Sequence, residues 1–210
     1  MPSLLIVSLV LVIGALSGVG GFFWWRQRRQ GLALRCYDNG VAALQAGEYP
    51  QAAAAFEAAL KLRSRLIDAR YGLGLTYLQQ QQYQAGVDML VAAVAEMPRN
   101  AVAHYNLGCA YIEVGKLADA QRVLETALRI DPELKEIHFN LARVSQEQGD
   151  FERAKLHCRN ALKLDRNYAR AKEYLALLSK TRTIEAINFE VIRQALQNFH
   201  PHDTEFLIKL

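Results

Sequence analysis

Five histidines and three cysteines are the side chains of this 210-residue chain best suited to metal or nucleophilic chemistry. His104 and His138 stand 34 residues apart, and His200 and His202 flank Pro201. A zinc or catalytic centre needs several ligands or a nucleophile and base brought together, and motifs that do so carry characteristic spacings. None is present: there is no HExxH, no GxSxG and no phosphate loop, and Cys36, Cys109 and Cys158 form no CxxC pair. An odd set of scattered thiols predicts buried packing roles in a reducing compartment. The expectation is therefore a protein that is not an enzyme, with no catalytic residue, no metal and no cofactor.

A second set of residues recurs with a different chemistry. Tyr37, Tyr71, Tyr105 and Phe139 are each 34 residues apart, and four residues after each come Val41, Leu75, Cys109 and Arg143. Asn106 and Asn140 follow directly on two of the aromatics. Aromatic rings, three of the four with a polar tip, suit apolar segments, and an amide offers both donor and acceptor to an extended backbone. Such side chains bind rather than react.

The elements that position them follow from the same period. With 51% hydrophobic and 22% charged residues the chain is neither disordered nor collagen-like. Laid on itself at an offset of 34, Arg-Tyr-Gly-Leu-Gly-Leu-Thr-Tyr at Arg70 to Tyr77 meets His-Tyr-Asn-Leu-Gly-Cys-Ala-Tyr at His104 to Tyr111. Four units fit, at 33–66, 67–100, 101–134 and 135–168. Each reads as two short helices with apolar residues three and four apart. The break between them falls at Gly47, Gly115 and Gly149, with Gln81 in the second unit. Small residues, Gly40, Gly74, Gly108 and Ala142 on the first helices and Ala52, Gly86, Ala120 and Ala154 on the second, predict close crossings. Pro98 and Pro132 end second helices.

This pattern resembles the tetratricopeptide repeat family, with unit three supplying Leu107, Gly108, Tyr111, Ala120, Leu124, Ala127 and Pro132 at the signature positions. Unit one departs from it at Asn39 and Ala43, and unit four at Ser145 and Arg166. The resemblance implies an all-α solenoid, a right-handed superhelix of helical hairpins whose first helices line a concave groove. It also implies an inward direction for Tyr37, Tyr71, Leu75, Tyr105, Asn106, Cys109, Phe139, Asn140 and Arg143, the expected peptide-binding groove. The inward positions of units one to three lack the cations of a carboxylate clamp for chaperone tails, so apolar client segments are expected instead. Each hairpin leaves an apolar face open, so a lid is expected from capping helices over 169–200, ahead of a tail at 201–210.

Leu4 to Trp25 carries no charge. As a helix it measures roughly 33 Å, which matches a hydrocarbon core of about 30 Å. A transmembrane helix over 1–25 and a basic connector over 26–32 are expected. A cleavable signal peptide fits less well, because no Lys or Arg precedes the apolar run and the run continues past Ala15-Leu16-Ser17. Trp24 and Trp25 suit the interface, and Arg26, Arg28, Arg29 and Arg35 predict an outside or lumenal N-terminus with a cytoplasmic or stromal body. Gly14 and Gly18 form a GxxxG face able to support a homodimer.

Between Asp150 and Arg182 nine Lys or Arg face four acids, and Lys155, Arg159 and Lys163 are four apart. They predict a basic face for anionic lipid or an acidic partner as the alternative site. No nucleic-acid partner is expected, since no aromatic-interleaved motif accompanies the charge. The functional expectation is a membrane-tethered scaffold or assembly factor holding segments of client membrane-complex subunits. In layout the chain resembles the photosystem I assembly proteins of cyanobacteria and plastids. The alternative reading is a general inner-membrane adaptor, a layout that bacterial inner-membrane adaptors share, or a chaperone-recruiting protein.

Overall fold

The computed structural model describes the backbone of residues 2–179 and the side chains of residues 21–179. The GxxxG pair Gly14 and Gly18, residues 180–200 of the expected capping helices and the tail lie outside the described side chains or residues. So does most of the expected span Leu4–Trp25. Among the described residues no helix is long and apolar enough to cross a membrane.

Eight α-helices are bounded within the described residues: α1 (Pro2–Gln45), α2 (Tyr49–Leu62), α3 (Ile67–Gln79), α4 (Tyr83–Glu96), α5 (Ala101–Glu113), α6 (Leu117–Ile130), α7 (Lys135–Glu147) and α8 (Phe151–Leu164). Residues 169–179 are also helical. The basic connector is not a loop, because α1 runs through it unbroken. Its Arg, Gln and Leu residues are good helix formers and it contains no proline.

The chain divides into two compact units, Met1–Ile130 and Asp131–Leu210. In the first, α1 packs on α2, α3 on α4 and α5 on α6, and the hairpins join through α2 on α3 and α4 on α5. First helices also touch one another, α1 on α3 and α3 on α5. The core of the first two hairpins is built on Phe56 and Leu73 among Ala52, Ala53, Ala59, Leu66 and Ala69. Full burial of Phe56 contributes on the order of 2–3 kcal/mol. The third hairpin joins through Val87, Leu90, Val94, Ala103, Leu107 and Val123. In the second unit α7 packs on α8, and Ala142, Ala154 and Cys158 enclose Leu178.

The four intra-hairpin turns are one structure repeated. Glu48, Gln82, Lys116 and Asp150 donate their backbone N–H to the carbonyls of Ala43, Tyr77, Tyr111 and Ser145, at 2.8 to 2.9 Å. This six-residue closure satisfies carbonyls that a helix end leaves without partners. It requires a left-handed residue, and Gly47, Gln81, Gly115 and Gly149 take φ of 77°, 61°, 73° and 80°. Gln81 does so at the cost of a Cβ clash that glycine lacks. Two helices also gain side-chain caps: Asn100 accepts from the Ala103 N–H at 3.0 Å, and Asp150 from that of Arg153 at 2.9 Å.

Candidate protein-binding face

Tyr71, Leu75, Tyr105, Asn106 and Cys109 come from α3 and α5, whose contact brings successive first helices side by side. All five are half-buried. Tyr71 and Leu75 rest on the apolar cluster of Val87, Leu90, Ala103 and Leu107, which leaves part of each ring or chain at the surface. The Asn106 side-chain amide donates to the Tyr71 hydroxyl at 2.5 Å, so the two helices are tied across this face. The Tyr71 hydroxyl keeps its own proton as a donor. Burial raises it above the ordinary tyrosine range, and the amide donation offsets this only in part.

Tyr37 lies on α1, half-buried, with its ring centroid 5.9 Å from that of Phe56. Burial raises its hydroxyl pKa, and the carboxylates of Asp68 and then Asp38 raise it further. Val41 packs beside it on the first cluster. Within this unit the named residues are phenols, apolar side chains and one amide, a set suited to hydrogen bonding and apolar contact, with the carboxylates of Asp68 and Asp38 beside Tyr37 at its edge.

The second unit is different. Phe139 is 6% exposed and packs on Ala161 and Ala171. Tyr168 and Tyr174 meet its ring edge-on at 5.9 and 5.5 Å, and the Arg170 guanidinium lies 4.5 Å over it. The expected groove anchor is here a core residue, covered by the segment at 168–174. Asn140 is 4% exposed and accepts from Arg143 at 3.2 Å, so neither is presented as the sequence suggested. The basic stripe also needs correction. Lys155 is buried and its ammonium reaches Glu152 at 3.3 Å, because its position on α8 falls beside the buried Ala154 and Cys158. Arg159 and Lys163 are exposed.

The titratable residues take packing geometries. His104 is buried, with Nδ1 donating to the Asn100 carbonyl at 2.9 Å. Cys158 is fully enclosed, and burial pushes its thiol up to about 11, far from the range of a nucleophilic thiolate. His138 lies beside His157 with their Nδ1 atoms 3.3 Å apart, a pairing that no spacing argument revealed. Among the described residues no group of three or more His, Cys, Asp or Glu is placed to hold a metal ion. Sequence reasoning also missed Lys61 in the last turn of α2 and Arg63 and Arg65 in the loop after it, an alternating basic run that lies close to Arg26 and Arg29.

Helical hairpins stacked on a repeat of 34 residues define an all-α, solenoid class of protein-binding scaffold. Models of the tetratricopeptide repeat match residues 77–138 and 111–180, and a second repeat model matches residues 40–81. The chain belongs to the tetratricopeptide repeat family. It is similar to the solved MamA 41-end from Desulfovibrio magneticus RS-1, with 30% identity and a TM-score of 0.62 over 65% of this chain and 77% of that one. A further MamA crystal structure shares the fold at 19% identity, with a TM-score of 0.68 over 79% of this chain and 91% of that one. The PilF structure from Pseudomonas aeruginosa shares it at 22% identity, with a TM-score of 0.65 over 83% and 79%. No curated protein matches the chain.

Proposed function

We propose that this protein is a membrane-tethered scaffold that holds extended segments of membrane-complex subunits against the first-helix face of its N-terminal unit. Tyr71, Leu75, Tyr105, Asn106 and Cys109 form the site, with Tyr37 at its edge. The observation that carries the reading is the Asn106 to Tyr71 hydrogen bond, which preorganises two half-buried polar groups of neighbouring helices on an otherwise apolar surface. A preorganised face loses little entropy when a flexible segment docks on it.

Tethering is supported by the uncharged run Leu4–Trp25 and by the continuous helix that leads from it into the first hairpin. Phe22, Phe23, Trp24 and Trp25 are all more than half exposed, and the guanidinium groups of Arg28 and Arg29 lie about 5 Å over the two indole rings. Aromatic rings followed by cations suit a membrane-water boundary with the repeats on the positive side, cytoplasmic or stromal. The proposed work is assembly or holding rather than catalysis. The layout shared with photosystem I assembly proteins makes that complex the first client to test.

The test is purification of the tagged full chain from its native membranes in mild detergent, with and without Y71A and Y105A. The wild type is expected to bring down subunits of one membrane complex and the double variant to lose them with helical content unchanged. Recovery of soluble chaperones alone contradicts the reading.

A further inference from the structure

Arg26 and Arg29 sit one turn apart on α1, and across a cleft of about 500 Å³ from them lie Lys61, Arg63 and Arg65 from the end of α2 and the loop that follows. None of the residues lining this cleft is acidic. Five like charges around one space repel one another, and an anion within it relieves that repulsion.

The loop is held in place. Arg29 donates to the Lys61 carbonyl at 3.1 Å, a carbonyl in the last turn of α2, where helix carbonyls lack partners. Arg70 of α3 donates to the Ser64 carbonyl at 2.7 Å, and Leu66 is buried just beyond. The cations are thus displayed from a fixed backbone. Guanidinium groups fit phosphate oxygens through paired N–H donors.

A phosphate could come from a soluble anion or from a lipid headgroup, and the remaining walls separate these. Phe22 and Trp25 line the same cleft, and Phe23 and Trp24 stand exposed beside it. A soluble phosphate has no use for four adjacent aromatic rings, whereas the boundary between headgroups and acyl chains favours them. We propose that this cleft binds the phosphate of an anionic phospholipid. Arg26, Arg29, Lys61, Arg63 and Arg65 hold the headgroup, and Phe22 and Trp25 lie against the glycerol and upper acyl carbons. The inference rests on the membrane reading above and adds a headgroup preference to it.

Trp24 and Trp25 are the only two tryptophans of the chain, so its indole fluorescence reports on this place alone. The full chain in detergent micelles is titrated with brominated phosphatidylglycerol or brominated phosphatidylcholine, whose bromines quench nearby indoles. The anionic lipid is expected to quench at a mole fraction lower by about tenfold or more. The R63Q/R65Q variant should abolish that preference, whereas R63K/R65K should retain it and R159Q/K163Q should leave it untouched. Equal quenching by both lipids in the wild type overturns the headgroup site while leaving the tether standing. Quenching by neither lipid overturns the tether as well. A preference that survives R63Q/R65Q places the anion elsewhere, and reversal of quenching by an equal concentration of inorganic phosphate overturns the lipid as its source.

Discussion

The ring of Phe56 lies so close to Gly72 that a methyl group there would meet its Cζ at 2.6 Å. A methyl group at Gly40 would likewise meet Cδ1 and Cε1 of the same ring at 2.7 Å. The ring packs against glycines of both α1 and α3, so a methyl group at either would have to displace it. G72A should therefore destabilise the first unit by about 1–2 kcal/mol, because overpacking of about 1–3 kcal/mol exceeds the helix propensity gained. G31A, where nothing lies within 4 Å, should instead be neutral or stabilise. Urea unfolding of both variants, with F56L as a rescue of G72A, measures the difference.

Gln81 occupies a left-handed turn whose three counterparts are glycine. Q81G should stabilise the protein by about 0.5–1 kcal/mol, as removal of the Cβ clash outweighs the added freedom of the unfolded chain. G115A should cost about 1 kcal/mol for the converse reason. Melting temperatures of the two variants should move in opposite directions.

His138 titrates below the ordinary imidazole range, first because burial penalises its charged form and second because Lys163 repels it. A pKa lower in the folded than in the unfolded chain means that protonation favours unfolding. Stability from this residue is full above the unfolded value of about 6.5 and declines as pH falls below it. Protonation of both rings would also set two donors against each other where one Nδ1 now donates to the next. The urea midpoint should drop between about pH 7.5 and pH 5, and H138Q should flatten the drop.

The tie between Asn106 and Tyr71 should be measurable as a coupling. A double-mutant cycle of N106A and Y71F is expected to give an interaction energy of about 0.5–1.5 kcal/mol. A value near zero would mean that the hydrogen bond does not order the face.

The turns were legible in the sequence because a left-handed residue leaves a glycine behind, and three glycines at one spacing located the fourth turn at Gln81. The small residues were legible too: Gly108, for example, is where a Cβ would meet Leu124 at 2.6 Å. Phe139 was misplaced because a period of 34 states which residues are equivalent and not what covers them. Tyr168, Arg170 and Tyr174 close over its ring, and the cover is a matter of the next helix rather than of its own. Lys155 was misplaced for a related reason. Four-residue spacing puts it in line with Arg159 and Lys163, yet α8 turns that end of the line inward beside Cys158. The basic cleft was illegible because its two halves are more than thirty residues apart and meet only when α1 packs on α2.

The central claim, that clients dock on the first-helix face, is tested most directly by site-specific photo-crosslinking of the full chain in its native membrane. Benzoylphenylalanine replaces Tyr105 in one protein and Gln84, exposed on α4, in another. Crosslinks to a membrane-complex subunit from position 105 and none from position 84 are the predicted result. Crosslinks from position 84 alone, or from neither, would contradict it.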